Sequence, residues 1–254
     1  MKKIFWLFLI CFISACQTQK EENLYVGHWV EVMPVNKHII QGVSLYEDGT
    51  ASSIGMKTLQ YEKWKIDGQK IILTGKSIGN GQTIDFQDDF DVLEISPYSM
   101  KLGKFGQYRV DYYRVDKIPD VNDMENLPNL LQKFEGAGDL QKRVFKGVLP
   151  AASNPGIDYT LTLYNYENSG DGVFHARLTY LEAQNGKDET FEFSGRQYTL
   201  KGSFEDKNAV VFQFVPFQNG EETMNFLYQK GKLTMLDRDL KTIQSSLNYS
   251  LSEQ

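Results

Sequence analysis

The chain has 254 residues, 41% of them hydrophobic and 13% aromatic, with 27 basic residues against 33 acidic ones and a formal net charge of -6. That composition excludes a disordered chain and suits small β domains, while the length allows one or two of them. The acidity argues against nucleic acid or anionic lipid as a partner of the fold, and the two cysteines, Cys11 and Cys16, leave no thiols further along for a disulfide framework or a thiolate metal site.

The chain opens with Lys2-Lys3 and an apolar run from Ile4 to Ile13, a charged n-region and a short h-region that predict a secretory signal rather than a span. Ile13-Ser14-Ala15-Cys16 resembles the bacterial lipobox. The resemblance implies cleavage on the amino side of Cys16 and acylation of that cysteine, with residues 1–15 a signal peptide and 16–23 a lipidated tether. Each buried methylene contributes about 0.8 kcal/mol, so two or three acyl chains hold a protein at a membrane. Loss of Lys2 and Lys3 leaves 25 basic against 33 acidic residues, a net charge of -8. Gln17 stands where an inner-membrane retention aspartate would, which implies the outer membrane, at its periplasmic face or the cell surface. Gln19-Lys20-Glu21-Glu22 reads either as a surface-export signal or as a solvated charged tether.

Residues 24–116 read as short strands with turn signals between them. Leu24 to Val32 and His38 to Glu47 are strand-like, and Asp48-Gly49 is a turn. Gln60 to Ile66 and Gln69 to Thr74 flank Asp67-Gly68, a strong hairpin signal. Asp89 to Ile95, Tyr98 to Gly103 and Gln107 to Val115 follow. The acid-rich run Asp85, Asp88, Asp89, Asp91 lacks the glycine-centred spacing of a calcium loop and reads as a turn and an outer face. About eight short antiparallel strands predict a closed barrel, which leaves no exposed sheet edge. Gly27-His28-Trp29 at the start of the first strand resembles the Gly-x-Trp signature of lipocalins. In that family the tryptophan plugs the closed end of the barrel and an arginine of the last strand packs across it. Arg114 fits by parity, sharing a face with Tyr108, Val110 and Tyr112. A domain this small is expected to fill its interior with its own side chains. A cup for a small hydrophobic ligand is the alternative.

Residues 117–141 read as a linker. Leu127, Leu130, Leu131 and Phe134 have the spacing of a short amphipathic helix, with Pro128 in its first turn and Gly136 to Gly138 ending it.

Residues 142–254 predict a second run of strands, among them Phe191 to Gly195 and Tyr198 to Phe204, with a turn at Asn185-Gly186. Gly147-x-Leu149-Pro150, Pro155-Gly156-Ile157, Leu161-x-Leu163, Leu236-Asp237 and Ser246-Leu247-Asn248-Tyr249-x-Leu251 together resemble the amino-terminal domain of the NlpE-like outer-membrane lipoproteins, linked to copper resistance and envelope-stress sensing. The resemblance implies a small, half-open barrel. The family often carries Cys-x-x-Cys after the Leu-Pro; here Ala151 and Asn154 occupy those places, in a loop bounded by Pro150 and Gly156. A thiolate pair would bind soft Cu(I) or form a disulfide. Alanine and asparagine do neither, and the methionines and histidines are scattered.

The expected fold is therefore all-β: two small antiparallel β-barrels, lipocalin-like then NlpE-like, joined by a short helical linker after a signal peptide. No catalytic motif stands out. No cofactor, metal or nucleic acid is expected. The expected role is non-enzymatic: an envelope lipoprotein for ligand binding or stress sensing, held by Cys16, with a small hydrophobic ligand or an envelope protein as partner. A purely structural interaction module is the alternative.

Overall fold

The computed structural model describes residues 24–32, 34–106, 108–118, 120, 123–217 and 221–254. Cys16, with the leader and tether, lies outside them. Among the described residues the regular elements are sixteen strands and one 3-10 turn, and no helix is long and apolar enough to cross a membrane.

The first unit is an antiparallel sheet of β1 (Gly27–Glu31), β2 (Gly42–Leu45), β3 (Ala51–Ile54), β4 (Leu59–Asp67), β5 (Lys70–Gly79), β6 (Gln82–Ile95), β7 (Ser99–Lys104) and β8 (Tyr108–Val115). The strand order is β3-β2-β1-β8-β7-β6-β5-β4. Alternation turns Trp29, Val43, Leu45, Ile71, Leu73, Met100 and Leu102 inward, where they are buried in one cluster. The sheet curls until β3 meets β4, but a short β3 cannot supply a full ladder there. The seam is held by a bridge between Thr50 and Lys63, by the Trp64 N–H donating to the Gly49 carbonyl at 2.9 Å, and by the Tyr61 N–H donating to the Ser53 hydroxyl at 2.8 Å. A bulge between Tyr61 and Lys63 re-aims β4 at this point.

The run Asp85, Asp88, Asp89, Asp91 is strand rather than turn, all four lying within β6. Here alternation overrides the poor β propensity of aspartate. Phe86 and Phe90 supply the core-packing face, while Asp91 pairs at 2.7 Å with Lys70, its cross-ladder neighbour.

The second unit contains β9 (Leu140–Leu149), β10 (Ile157–Tyr166), β11 (Gly172–Gln184), β12 (Lys187–Lys201), β13 (Val210–Pro216), β14 (Met224–Gln229), β15 (Lys232–Leu236) and β16 (Ser250–Glu253). It is a closed barrel. The half-open shape implied by the family resemblance is not what this chain adopts, because β9 pairs with β10 on one side and with β16 on the other, through Ser252 opposite Lys146 and Glu253 opposite Phe145. The segments Phe191 to Gly195 and Tyr198 to Phe204 are not separate strands; β12 runs through Arg196 and Gln197 without a break. Gly195 lies opposite Phe174 on β11. A Cβ there would come within 2.5 Å of the Phe174 ring and 2.2 Å of the Val215 carbonyl, so the close approach needs glycine.

The linker is less helical than its spacing predicts. Only Leu127–Leu130 turns, as a 3-10 helix with Pro128 near its start and no side-chain cap. Proline biases the residue before it away from the α region and removes a donor, which limits the segment to one turn. The leucines still do what their spacing implies: Leu127, Leu130 and Leu131 are buried, and the turn packs against β11.

Candidate functional site

Parity places Trp29 inward on β1, and the β1–β8 register sets Arg114 directly opposite. Trp29 is fully buried. The Arg114 guanidinium carbon lies 4.4 Å from the centre of the indole, within cation–π range. Its Nη1 donates to the Val26 carbonyl at 2.6 Å and its Nη2 to the Leu24 carbonyl, while the indole Nε1–H donates to the Tyr25 carbonyl at 2.6 Å. Gly27 has φ +143°, and a Cβ on it would lie 3.0 Å from Arg114 Nη1. Gly27, Trp29 and Arg114 are thus one contact set, in which both terminal nitrogens of the arginine head hold the chain that enters β1, while its Nε is buried without a hydrogen-bond partner among the described residues. Burial pulls the Arg114 pKa below its ordinary value, with Asp116 opposing the shift.

The first barrel holds a partly buried ion pair. Lys104 bonds to Asp88 and lies 5.3 Å from the centre of the Phe90 ring, and the Tyr61 hydroxyl donates to Asp88 at 3.4 Å. Burial and the Asp88 charge push the Tyr61 phenol far up. Burial, then Glu31, do the same to Tyr112.

The second barrel is built differently at its two ends. At one end Arg143 sits within 5.4 Å of the Phe145 and Phe212 ring centres and 5.0 Å of Tyr228. Its Nη1 donates to the Tyr228 hydroxyl at 3.3 Å, and Phe212 stacks on Tyr228 at 4.7 Å. Above this plug the fully buried rings of Phe145, Phe174, Phe214 and Phe226 fill the middle.

At the other end lie the connections β9–β10, β11–β12, β13–β14 and β15–β16, and among them a cavity of about 490 Å³. Its inner wall carries Tyr159, Leu178, Tyr180, Phe193, Met224 and Met235, and its rim Glu221, Glu222, Asp237 and Arg238. Tyr159 is 7% exposed, and burial, with the Tyr180 phenol adding to it, pushes its pKa up to about 12. Among the described residues the Tyr159 hydroxyl has no hydrogen-bond partner. Glu222 pairs with Arg238 across the rim. The Asp237 Oδ1 accepts the backbone N–H groups of Asp239 and Lys241, each at 2.8 Å.

Pro150, Ala151, Asn154 and Gly156 form the β9–β10 connection at this same end. The Asn154 Oδ1 accepts the Gly156 N–H at 3.2 Å, and a Cβ on Gly156 would lie 2.7 Å from Val148 Cγ1. The loop is shaped by its backbone, and neither Ala151 nor Asn154 brings a thiolate to it. Among the described residues no group of three or more His, Cys, Asp or Glu is placed to hold a metal.

The cavity residues are not legible in the sequence, where a cup is expected only in the first barrel and the methionines are scattered. Met224 and Met235 line one cavity because the β14–β15 hairpin sets Phe226 opposite Met235, a pairing hidden by their distance along the chain. The signal available was the inward parity of Tyr159 with Leu161, and of Leu178 with Tyr180.

Comparison with known proteins divides the chain in the same way as its two sheets. A lipocalin-like family model matches residues 21–115, and the NlpE N-terminal domain matches residues 145–246. A crystal structure of a lipocalin-like protein from Bacteroides thetaiotaomicron VPI-5482 is 47% identical to this chain, covering 35% of it and 94% of that protein, with a TM-score of 0.32. No curated protein matches the chain. The chain therefore belongs to the lipocalin-like family through residues 21–115, and its residues 145–246 are similar to the NlpE N-terminal domain.

Proposed function

We propose that this protein is a non-enzymatic, lipid-anchored component of the bacterial outer membrane that binds a small, largely apolar ligand in the open end of its second barrel. The observation that carries the binding half is the cavity of about 490 Å³ lined by Tyr159, Leu178, Phe193, Met224 and Met235. Its size suits a small-molecule site, and its lining joins an apolar inner wall to a polar rim of comparable extent. The aromatic plug at the opposite end leaves this opening as the way in. The lipobox supports the anchoring half, and the NlpE-type domain supports a place in the cell envelope. The copper role associated with that family does not extend to the Pro150–Gly156 loop, since Ala151 and Asn154 replace its thiolates.

Two measurements test the proposal. Metabolic labelling with an alkynyl palmitate analogue should mark the wild-type chain and not Cys16→Ala; equal labelling of both, or of neither, would remove the anchor. For the site, the full chain is prepared in lipid nanodiscs with 13C-methyl methionine and titrated with 4-phenyl-1-butanol. The methyl signals of Met224 and Met235, assigned with M224L and M235L, should move in a saturable way. That of Met100, fully buried in the first barrel, should stay. No movement at Met224 and Met235, or equal movement at Met100, overturns the binding site.

A further inference from the structure

Resting on that reading of the cavity, we infer that its ligand is a cationic amphiphile, an apolar body carrying an ammonium-type head, and that the site discriminates against anions such as fatty acids. Three features of the site converge on this.

The first is the sign of the rim. Glu221, Glu222, Asp237 and Arg238 are the charged residues that line the cavity. Glu222 and Arg238 neutralise one another in an ion pair. Asp237 uses Oδ1 to accept two backbone N–H groups of its own turn, which leaves its other oxygen and the Glu221 carboxylate without a cation to answer them among the described residues. An apolar wall behind these carboxylates lowers the local dielectric, so their charge is felt more strongly by a ligand entering past them than by one in bulk water.

The second is the unpartnered Tyr159 hydroxyl. It belongs to a side chain more than nine-tenths buried that lines the cavity. Its oxygen is open to the cavity rather than sealed in the core, so a polar group of the ligand that reaches it gains a hydrogen bond that a hydrocarbon does not. A phenol accepts an N–H as readily as it donates to a carboxylate; the rim then decides between the two in favour of the cation.

The third is the wall itself. Tyr159, Tyr180 and Phe193 present aromatic rings beside thioethers of Met224 and Met235. Ring faces attract a partly desolvated ammonium and repel a carboxylate, and thioethers adapt to an irregular apolar body. The Glu222–Arg238 pair joins the β13–β14 and β15–β16 connections at the exposed rim without adding net charge.

The test is a matched series in the same nanodisc and methionine-methyl experiment: 4-phenylbutylamine, 4-phenyl-1-butanol and 4-phenylbutyrate, which share one apolar body and differ in the charge of the head. The expected order of affinity at pH 7 is amine, alcohol, carboxylate, with the amine at least about tenfold tighter than the carboxylate at low salt and the gap narrowing as salt is raised. The double variant Glu221→Gln/Asp237→Asn, which keeps the Oδ1 acceptor of the turn, should reduce the amine's advantage several-fold and leave the alcohol unchanged. Tyr159→Phe should weaken both amine and alcohol while keeping the ring. Equal binding of amine and carboxylate, tighter binding of the carboxylate, or an amine advantage that survives the double variant would overturn the charge assignment while the alcohol still binds. Failure of the alcohol to move Met224 and Met235 would instead overturn the site.

Discussion

Arg114 and Trp29 face each other across the β1–β8 ladder with the guanidinium carbon 4.4 Å from the centre of the indole. The same head also bonds the carbonyls of Leu24 and Val26, so one side chain seals a ring and fastens the chain that enters the barrel. Hydrogen bonds from a charged donor contribute about 1.5–3 kcal/mol, and a cation–π contact about 0.5–2 kcal/mol. Because this head is half exposed, Arg114→Met should lower the stability of the first barrel by about 2 kcal/mol. Both tryptophans beyond the leader, Trp29 and Trp64, lie in that barrel. Urea unfolding followed by tryptophan fluorescence therefore reads it alone, and an unchanged midpoint would show the contact to be idle.

Arg143 supplies the contrast. It too lies among rings, and both arginines bury an Nε without a partner among the described residues, but where Arg114 makes two short bonds to carbonyls, Arg143 makes a single long one to the Tyr228 hydroxyl at 3.3 Å. A head so poorly satisfied offsets much of what its packing contributes. Arg143→Met should change the stability of the second barrel by less than about 1 kcal/mol, measured by the urea dependence of the Met224 and Met235 methyl signals. A loss as large as that of Arg114→Met would show the two plugs to be equivalent.

Gly195 is predicted to tolerate no side chain. A methyl group there meets the Val215 carbonyl and the Phe174 ring at once, and the strand on that side is held by the ladder to β13. Gly195→Ala should cost at least about 2 kcal/mol by overpacking. Gly186, in the β11–β12 turn with nothing within 4 Å of its Cβ position, should lose about 1 kcal/mol on the same substitution, from its positive φ alone. Thermal melts of the two variants by circular dichroism check the order.

The buried phenols and imidazoles set limits on the pH range of the fold. Tyr159 has its pKa raised to about 12 by burial, and Tyr61 and Tyr112 are raised for the same first cause. Above the ordinary value of 10.0 the unfolded chain gives up these protons while the fold keeps them, so stability should fall as pH rises from about 10 to 12. Phenolate absorbance should show these three residues titrating last or only on unfolding; ionisation of all fourteen tyrosines in one early step would contradict it.

At the acid side His28 and His175 have pKa values lowered by burial, against an opposing pull from Glu192 at His175. Below the ordinary value of 6.5 the unfolded state binds these protons first, so stability should decline as pH falls through 6.5 towards the lower folded values. The double variant His28→Gln/His175→Gln should flatten the urea midpoint between pH 7 and 5.

The legible parts of the fold are those fixed by local chemistry. Asp67-Gly68 and Asn185-Gly186 sit at hairpin turns, with Asn185 and Gly186 both at positive φ as a tight turn requires, and parity alone sets Trp29, Tyr159 and Leu178 facing inward. Strands whose pattern is polar are harder to see: Ser52 and Ser53 conceal β3, and Asp85 and Asp88 conceal the first half of β6. The linker's leucines have a helical period, but Pro128 limits them to one turn. The cavity was least legible, since empty space depends on how side-chain volumes from eight strands sum, and no short stretch carries that information.

In both sheets the first strand in sequence hydrogen-bonds the last: β1 with β8, and β9 with β16. Neither ring can close from hairpins alone, because the two strands that lock it are the most distant in the chain. Such closure must wait for the slowest loop to form, which places these domains among the slower folders for their size. Until then each nascent sheet presents two raw edges, open to pairing with other chains. If the chain is exported as proposed, the interval between arrival of the first strand and arrival of the last is the moment at which it most needs an escort.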